Sequence, residues 1–183
     1  MRFRPLCDDD LPMLHTWLND PGVVPWWEGE DVSMVAVGRD YGSNNTEPVE
    51  YWIAVDDDIG DVGWIQCYAI ASFLDHPDGD EARKWVEHGV PETAVGIDYL
   101  VGSSDLRGQG VGTTMIAEFV EQIVFGRHPV WDVVCASPTA ANTASWRALA
   151  RAGFERMATF PHGDVSCNLM VRHRAGAQPQ VTR

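Results

Sequence analysis

Positive charge is scarce in this chain: 13 Lys and Arg stand against 27 Asp and Glu, a formal charge of −14 at neutral pH. Such a surface repels phosphate backbones and anionic lipid, so nucleic acid and membrane are excluded as partners, while a cationic small molecule is compatible. Long apolar runs are also missing. No stretch reaches the 18 or so residues of a membrane span, and Met1-Arg2-Phe3-Arg4-Pro5 lacks the apolar segment of a secretory signal, so a cytoplasmic protein is expected. Cys7, Cys67, Cys135 and Cys167 are widely spaced, without a C-x-x-C pair or a Cys/His cluster of ligand spacing. Buried free thiols and no metal are the expectation. Internal repeats and low-complexity tracts are absent.

What is present suits one cooperative core: 183 residues, 45% of them hydrophobic, with eight Trp. Residues 1–172 read as a single domain and 173–183 as a polar, frayed tail. Phe3 to Leu6 is a candidate edge strand. Asp8, Asp9 and Asp10 cap a helix with Leu11, Leu14, Trp17 and Leu18 inward, stopped at Asn19-Asp20-Pro21-Gly22. Trp26 and Trp27, adjacent in a Pro/Gly context, cannot both point into one regular core, so one is free to line a cleft. A short helix is expected over Val32 to Tyr41. Tyr51 to Val55 and Val62 to Tyr68 form a hairpin around a solvated Asp56-Asp57-Asp58 tip.

Ile70 to Pro91 is the least regular stretch, with at most one helical turn over Ala82 to Trp85. A loop of this length is uncommon unless functional, and it offers carboxylates and Trp85 to the rim of a site. Val95, Ile97 and Tyr99 then alternate on one strand face, leaving Asp98 on the other. A carboxylate among apolar strand neighbours needs a hydrogen-bonding partner or a function.

Arg107-Gly108-Gln109-Gly110-Val111-Gly112 follows that strand and opens a helix over Thr113 to Phe125, with Val111, Met115, Ile116, Phe119, Val120, Ile123 and Val124 giving a broad apolar face. Three glycines in five residues at a strand-to-helix junction make either an ordinary turn or a seat for phosphate built from backbone N–H groups and a helix N-terminus. The Lys-Ser/Thr pair of nucleotide hydrolases is missing, and the mid-chain position does not suit a dinucleotide fold. Val130 to Ala136 reads as a buried strand and Asn142 to Arg151 as a helix with Trp146 and Leu149 inward. Phe154 to Phe160 and Val165 to Val171 form a hairpin around His162-Gly163-Asp164. The sum is an α/β domain with a mixed, mostly antiparallel central sheet flanked by helices.

The R-x-x-G-x-G form of residues 107–112 resembles the acyl-CoA pyrophosphate loop of the GCN5-related N-acetyltransferase (GNAT) superfamily. Across residues 3–172 the chain is most similar to the aminoglycoside 6′-N-acetyltransferases. The resemblance is carried by His15-Thr16-Trp17-Leu18-Asn19, Val24-Pro25-Trp26-Trp27, Gly96-Ile97-Asp98, Gly108-Gln109-Gly110-Val111-Gly112-Thr113 and Ala152-Gly153-Phe154-Glu155. It implies the GNAT fold and direct transfer of an acetyl group from acetyl-CoA, the co-substrate, to a primary amine of a cationic small molecule, with no metal. Arg107 to Thr113 would bind acetyl-CoA, Asn142 would lie near its arm, and an N–H near Leu100 or Val101 would polarise the thioester carbonyl. Asp98 would be the catalytic base, with Trp27 and Tyr41 near the acceptor.

Departures bear on the acceptor. Ser137 and His162 stand where that family has Asp, and Asp78, Asp80, Glu81 or Asp164 are candidates to restore the lost charge. Leu149 stands where it has Tyr, a candidate acid for the departing thiolate. Cys135 is the rival nucleophile. Alternative functions are acylation of a siderophore precursor or lysine-like amine, and a non-catalytic acyl-CoA-binding module. A monomer or homodimer is expected.

Overall fold

The computed structural model of the protein describes residues 1–27 and 29–176; Glu28 and residues 177–183 of the expected tail lie outside them. Among the described residues seven strands run β1 (Arg2–Pro5), β2 (Val49–Asp56), β3 (Gly60–Ala69), β4 (Val95–Val101), β5 (Val133–Ala136), β6 (Glu155–His162) and β7 (Val165–His173). They form one sheet in the order β1-β2-β3-β4-β5-β7-β6, antiparallel throughout except for β4 and β5. The α-helices that flank it among the described residues are α1 (Leu11–Leu18), α2 (Met34–Tyr41), α3 (Asp80–Glu87), α4 (Val111–Phe119) and α5 (Thr143–Arg151).

The alternation read from β4 sets the two faces. Val95 and Ile97 are fully buried against Ile116, Phe119 and Val120 of the α4 region and Leu149 of α5. The opposite face carries Asp98 and Leu100, and there Leu100 joins Trp64 and Ile53 beneath Leu14 and Leu18 of α1 and Val37 of α2. Further along this face α3 packs Ala82 and Trp85 against Val133, Cys135 and the β6–β7 hairpin.

The parallel pairing is short. β4 meets β5 only at Val95↔Val134 and Gly96↔Cys135, so from Ile97 onward β4 has no ladder partner in β5. Strand parity says which groups face the gap. Ile70 donates its N–H to Ala94 and Gly102 donates to Val62, which turns the backbone of even-numbered residues toward β3 and that of Ile97, Tyr99 and Val101 toward the gap.

Several expected elements differ in detail. The long helix begins at Val111, and Val120–Phe125 continues it as a wider π-helical segment that keeps Val120, Ile123, Val124 and Phe125 all buried. The strand expected from Val130 starts at Val133. His128 stacks on Trp131 at 3.8 Å, Val130 is left exposed, and Arg174 takes the carbonyls of Phe125, His128 and Trp131 together with the Asp132 carboxylate. The same contacts make the start of the supposedly frayed tail an anchored segment. The Val32 to Tyr41 helix starts at Met34 because the Ser33 hydroxyl caps it, accepting the Ala36 N–H. Cys7 is exposed, against expectation, whereas Cys67, Cys135 and Cys167 are buried free thiols.

The largest correction concerns Ile70 to Pro91. It contains a 3-10 turn over Ile70–Phe73 and the two-turn helix α3, and the Arg83 guanidinium holds the loop between them by donating to the carbonyls of Leu74 and His76. Gly79 is required there, since a Cβ would fall 1.7 Å from the Phe73 carbonyl oxygen.

Among the described residues no helix is long and apolar enough to cross a membrane, and no group of three His, Cys, Asp or Glu is placed to hold a metal ion.

The N-terminal strand is locked to α1 by Asp10, which accepts from both Arg4 terminal nitrogens, at 2.6 and 2.8 Å, and from the Cys7 N–H. The Arg4 hydrogen bonds above all hold its carboxyl down to about 2. A carboxyl depressed below its unfolded value stabilises the fold at pH above about 4, and the contribution fades as pH falls through about 2. Asp10→Asn should therefore cost about 1–2 kcal/mol at neutral pH. Chemical denaturation from pH 7 downward checks this: the gap between variant and parent should shrink below about pH 4.

Candidate active site

Asp98 lies on the face of β4 covered by α1, α2 and α3. Directly across the ladder is Gln66 of β3, which donates from Nε2 to Asp98 Oδ2 at 2.7 Å. The bond fixes one carboxylate oxygen, so the side chain is held in one orientation. Tyr68, two residues further on the same face, lies over Gly96, where a Cβ would come within 2.5 Å of its ring. Burial pushes the Tyr68 phenol well above its ordinary value, and it stays neutral.

Asp98 and Gln66 line a cavity of about 360 Å³. One wall is aromatic. Tyr41 and Trp27 meet Trp64 edge-on, at 5.4 and 5.9 Å, so the buried Trp64 sets the position of both. Trp26 is more than a third exposed at the mouth, which resolves the adjacent pair: Trp27 packs inward and Trp26 outward, and both line the cavity. Burial also raises the Tyr41 phenol, leaving it a neutral donor or acceptor. The cavity is further lined by Glu30, Asp78, Glu81, Ser137 and His162, with Tyr99, Asn142 and Ser145 toward α5. A second chamber of about 670 Å³ shares Glu30, Tyr41, Gln66, Asp78, Glu81 and Asp98 with the first and adds Asp40, Glu47 and His76.

Of the candidates from sequence, Trp26, Trp27, Tyr41, Asp78, Asp98, Ser137, His162 and Asn142 come together here. Three do not. Trp85 is buried in the core with its Nε1–H donated to Ser137 Oγ at 3.1 Å, because its place on α3 turns it inward with Ala82. Asp80 faces Lys84 at 2.6 Å and lies outside both cavities. Asp164 is exposed at the β6–β7 turn, again outside both. Glu30 and Gln66 were missed. Gln66 shares the alternation of Asp98, but only the strand register brings them together. Glu30 follows the tryptophan pair and carried no signal beyond that.

On the far side of β4 the glycine loop takes the form its composition requires. Gly108 and Gly110 have φ of 76° and 90°, a conformation that other residues rarely adopt, and Gly110 is the N-cap of α4. No side chain caps that helix, which leaves the first-turn N–H groups of Val111, Gly112 and Thr113 directed out of its positive end. Gln109 folds back onto the Asp105 carbonyl. Arg107 is a brace: Nε donates to the Val101 carbonyl at 3.1 Å, Nη2 to the Gly102 carbonyl at 2.9 Å and Nη1 to Asp20 at 2.6 Å. Asp20 also accepts the Gly22 N–H, and the Arg107 hydrogen bond holds its carboxyl below the usual range. The guanidinium thus joins the end of β4, the glycine loop and the turn leading to the tryptophan pair.

Asn142 caps α5 by accepting the Ser145 N–H at 3.1 Å, and Tyr99 shares a 2.7 Å hydrogen bond with the Ser145 hydroxyl. Leu149 is wholly buried and offers no acid. Cys135 is enclosed in the core behind β5, and burial pushes its thiol up, the opposite of what a nucleophilic thiolate needs. A carboxylate held beside an aromatic and acidic cavity, next to a splayed strand pair and an open helix N-terminus, suits transfer between a cationic amine and a phosphate-bearing donor.

Comparison with known proteins agrees. The acetyltransferase (GNAT) domain family matches residues 7–161. Aminoglycoside N(6′)-acetyltransferase type 1 of Klebsiella pneumoniae and that of Serratia marcescens are each 30% identical over 176 residues, covering 93% of this chain and 82% of theirs. The solved structure of AAC(6′)-Ib with ribostamycin and coenzyme A has a TM-score of 0.79 at 28% identity, over 94% of this chain and 92% of that one. An aminoglycoside N(6′)-acetyltransferase from Legionella pneumophila, at 19% identity and a TM-score of 0.70, shares the fold. By the family match over most of its length and by these relatives, the chain belongs to the GNAT acetyltransferases, in the aminoglycoside 6′-N-acetyltransferase family.

Proposed function

We propose that the protein transfers the acetyl group of acetyl-CoA to the 6′-amine of an aminoglycoside, with both substrates bound together and no covalent enzyme intermediate. The observation that carries this is Asp98, held by Gln66 at the floor of an aromatic and acidic cavity beside the β4–β5 gap. It is supported by relatives named for that reaction and by AAC(6′)-Ib complexes with aminoglycosides and coenzyme A.

Acetyl-CoA supplies an activated acyl group as a thioester. The loop suits its pyrophosphate: left-handed Gly108 and Gly110 let the backbone come close, and the uncapped start of α4 favours negative charge. The backbone groups that β4 turns toward the gap suit the amide-bearing arm. Val101 N–H is the better donor for the thioester carbonyl, since Leu100 turns its backbone to β3. Arg107 contributes as a brace for this seat rather than as an anion ligand.

At the acceptor side the carboxylates attract the cation and the aromatic wall packs on its sugar rings. Asp98 draws the ammonium in and accepts the proton the amine sheds, directly or through water, as nitrogen attacks. Gln66 keeps the carboxylate oriented through that transfer. A departing thiolate needs little help, because a thiol is already a moderate acid, with a pKa of about 8.5. Leu149 is compatible with that.

Asp98→Asn should lower kcat/KM for kanamycin at least about tenfold while leaving acetyl-CoA affinity nearly unchanged. Steady-state kinetics over pH check this, and an unaltered rate and profile would remove the role. Loss of the Asp20–Arg107 contact should act on the donor side. Asp20→Asn is expected to raise KM for acetyl-CoA roughly three- to tenfold, the scale of one charge-assisted hydrogen bond. A KM equal to the parent's would mean that the brace does not shape the seat.

A further inference from the structure

The amine that attacks has Asp98 as its partner; the sulfur that departs leaves from the other side of the carbonyl. Asp98 and Tyr99 are neighbours in β4, so their side chains leave opposite faces of the sheet, and yet both line the same cavity. They do so because β5 has parted from β4 at this point, which lets the cavity run through the sheet toward the face covered by α4 and α5. An amine attacking from the Asp98 side expels sulfur toward the Tyr99 side, where the glycine loop and the Asn142 cap lie.

The ring of Tyr99 is fixed by packing against the core beneath α4 and α5. Its hydroxyl lies 2.7 Å from Ser145 Oγ, a pair in which either atom can donate, and 3.3 Å from the Ser145 carbonyl oxygen. The second distance exceeds the roughly 2.5–3.0 Å of a good O–H···O bond, so a phenol hydrogen pointing there is readily redirected to a ligand. When Ser145 donates to Tyr99, the phenol becomes the stronger donor. Burial pushes the phenol above its ordinary value, so it keeps its hydrogen at neutral pH.

We propose that Tyr99 is a catalytic residue whose hydroxyl donates a hydrogen bond to the sulfur of acetyl-CoA as it leaves, with Ser145 as a positioning residue. This rests on the acetyl-transfer reading above. A bond forms between the amine nitrogen and the acetyl carbon, the C–S bond breaks, and its electron pair goes to sulfur. Tyr99 stabilises the charge that collects there, and the thiolate takes its proton from water. The cavity favours this over a purely structural tie between β4 and α5: Tyr99 and Ser145 both line it together with Asp98, so the pair borders space that a substrate can fill. Leu149, one turn after Ser145 on α5, carries no polar hydrogen and does not compete for the sulfur.

The test is single-turnover transfer from acetyl-CoA to kanamycin, with acetyl-CoA affinity measured separately by titration. Tyr99→Phe should slow transfer about tenfold, the scale of one hydrogen bond to a charged group, and leave acetyl-CoA affinity within about twofold. Ser145→Ala should show part of that loss. An isosteric probe separates catalysis from packing. With 3,5-difluorotyrosine at position 99 the phenol is more acidic, so transfer should fall off at a lower pH than in the parent, as that phenol ionises and loses its hydrogen. The proposal is overturned if Tyr99→Phe transfers at the parent rate, or if the difluorotyrosine protein keeps the parent's pH profile. No transfer to kanamycin by the parent protein with acetyl-CoA bound would instead overturn the reading on which the proposal rests.

Discussion

The proposed mechanism depends on where the parallel pairing of β4 and β5 stops. Two residue pairs hold the strands together, and beyond Gly96 the β4 edge runs on with its odd-numbered backbone groups turned into a gap. Buried backbone donors and acceptors left without partners cost about 1–3 kcal/mol each. An open strand edge inside a domain is therefore a binding feature that must be supported elsewhere. Here the support is the antiparallel β3–β4 ladder on one side and, at the far end, Arg107, which satisfies the carbonyls of Val101 and Gly102 and ties them to Asp20.

The gap also divides labour between the two faces of the sheet. Apolar side chains of β4 pack under α4 and α5, which present the glycine loop and the Asn142 cap. The intervening residue, Asp98, points to the face of α1, α2 and α3, where negative charge collects. In the proposed mechanism one strand thus serves an anionic donor by its backbone and a cationic acceptor by a side chain. The period of two in the strand keeps those demands from conflicting.

Much of this was legible in the sequence. The glycine loop was, because left-handed backbone at Gly108 and Gly110 demands that residue type. Asp98 was, because a carboxylate amid alternating Val95, Ile97 and Tyr99 breaks the apolar pattern. Partners set by register were not: Gln66 meets Asp98 across 32 residues of chain. α3 was read as at most one helical turn in a long loop because its apolar residues are few and its acids many. Its burial of Ala82 and Trp85 shows only once the β5–β7 surface beneath it is known. Arg107 was read as part of the acyl-CoA loop, and its role as a brace depends on Asp20, 87 residues away. Cys7 was expected inside and lies exposed, since a lone cysteine carries no periodicity to read.

The central claim is that the splayed strand pair and Asp98 together make an aminoglycoside 6′-acetylating centre. The most direct measurement is thiol release from acetyl-CoA with kanamycin, followed by NMR of the product. The account predicts one equivalent of thiol per acceptor and a new acetyl group on the 6′ nitrogen. Acetyl-CoA binding without thiol release, or an acetyl group on a different nitrogen, would contradict it.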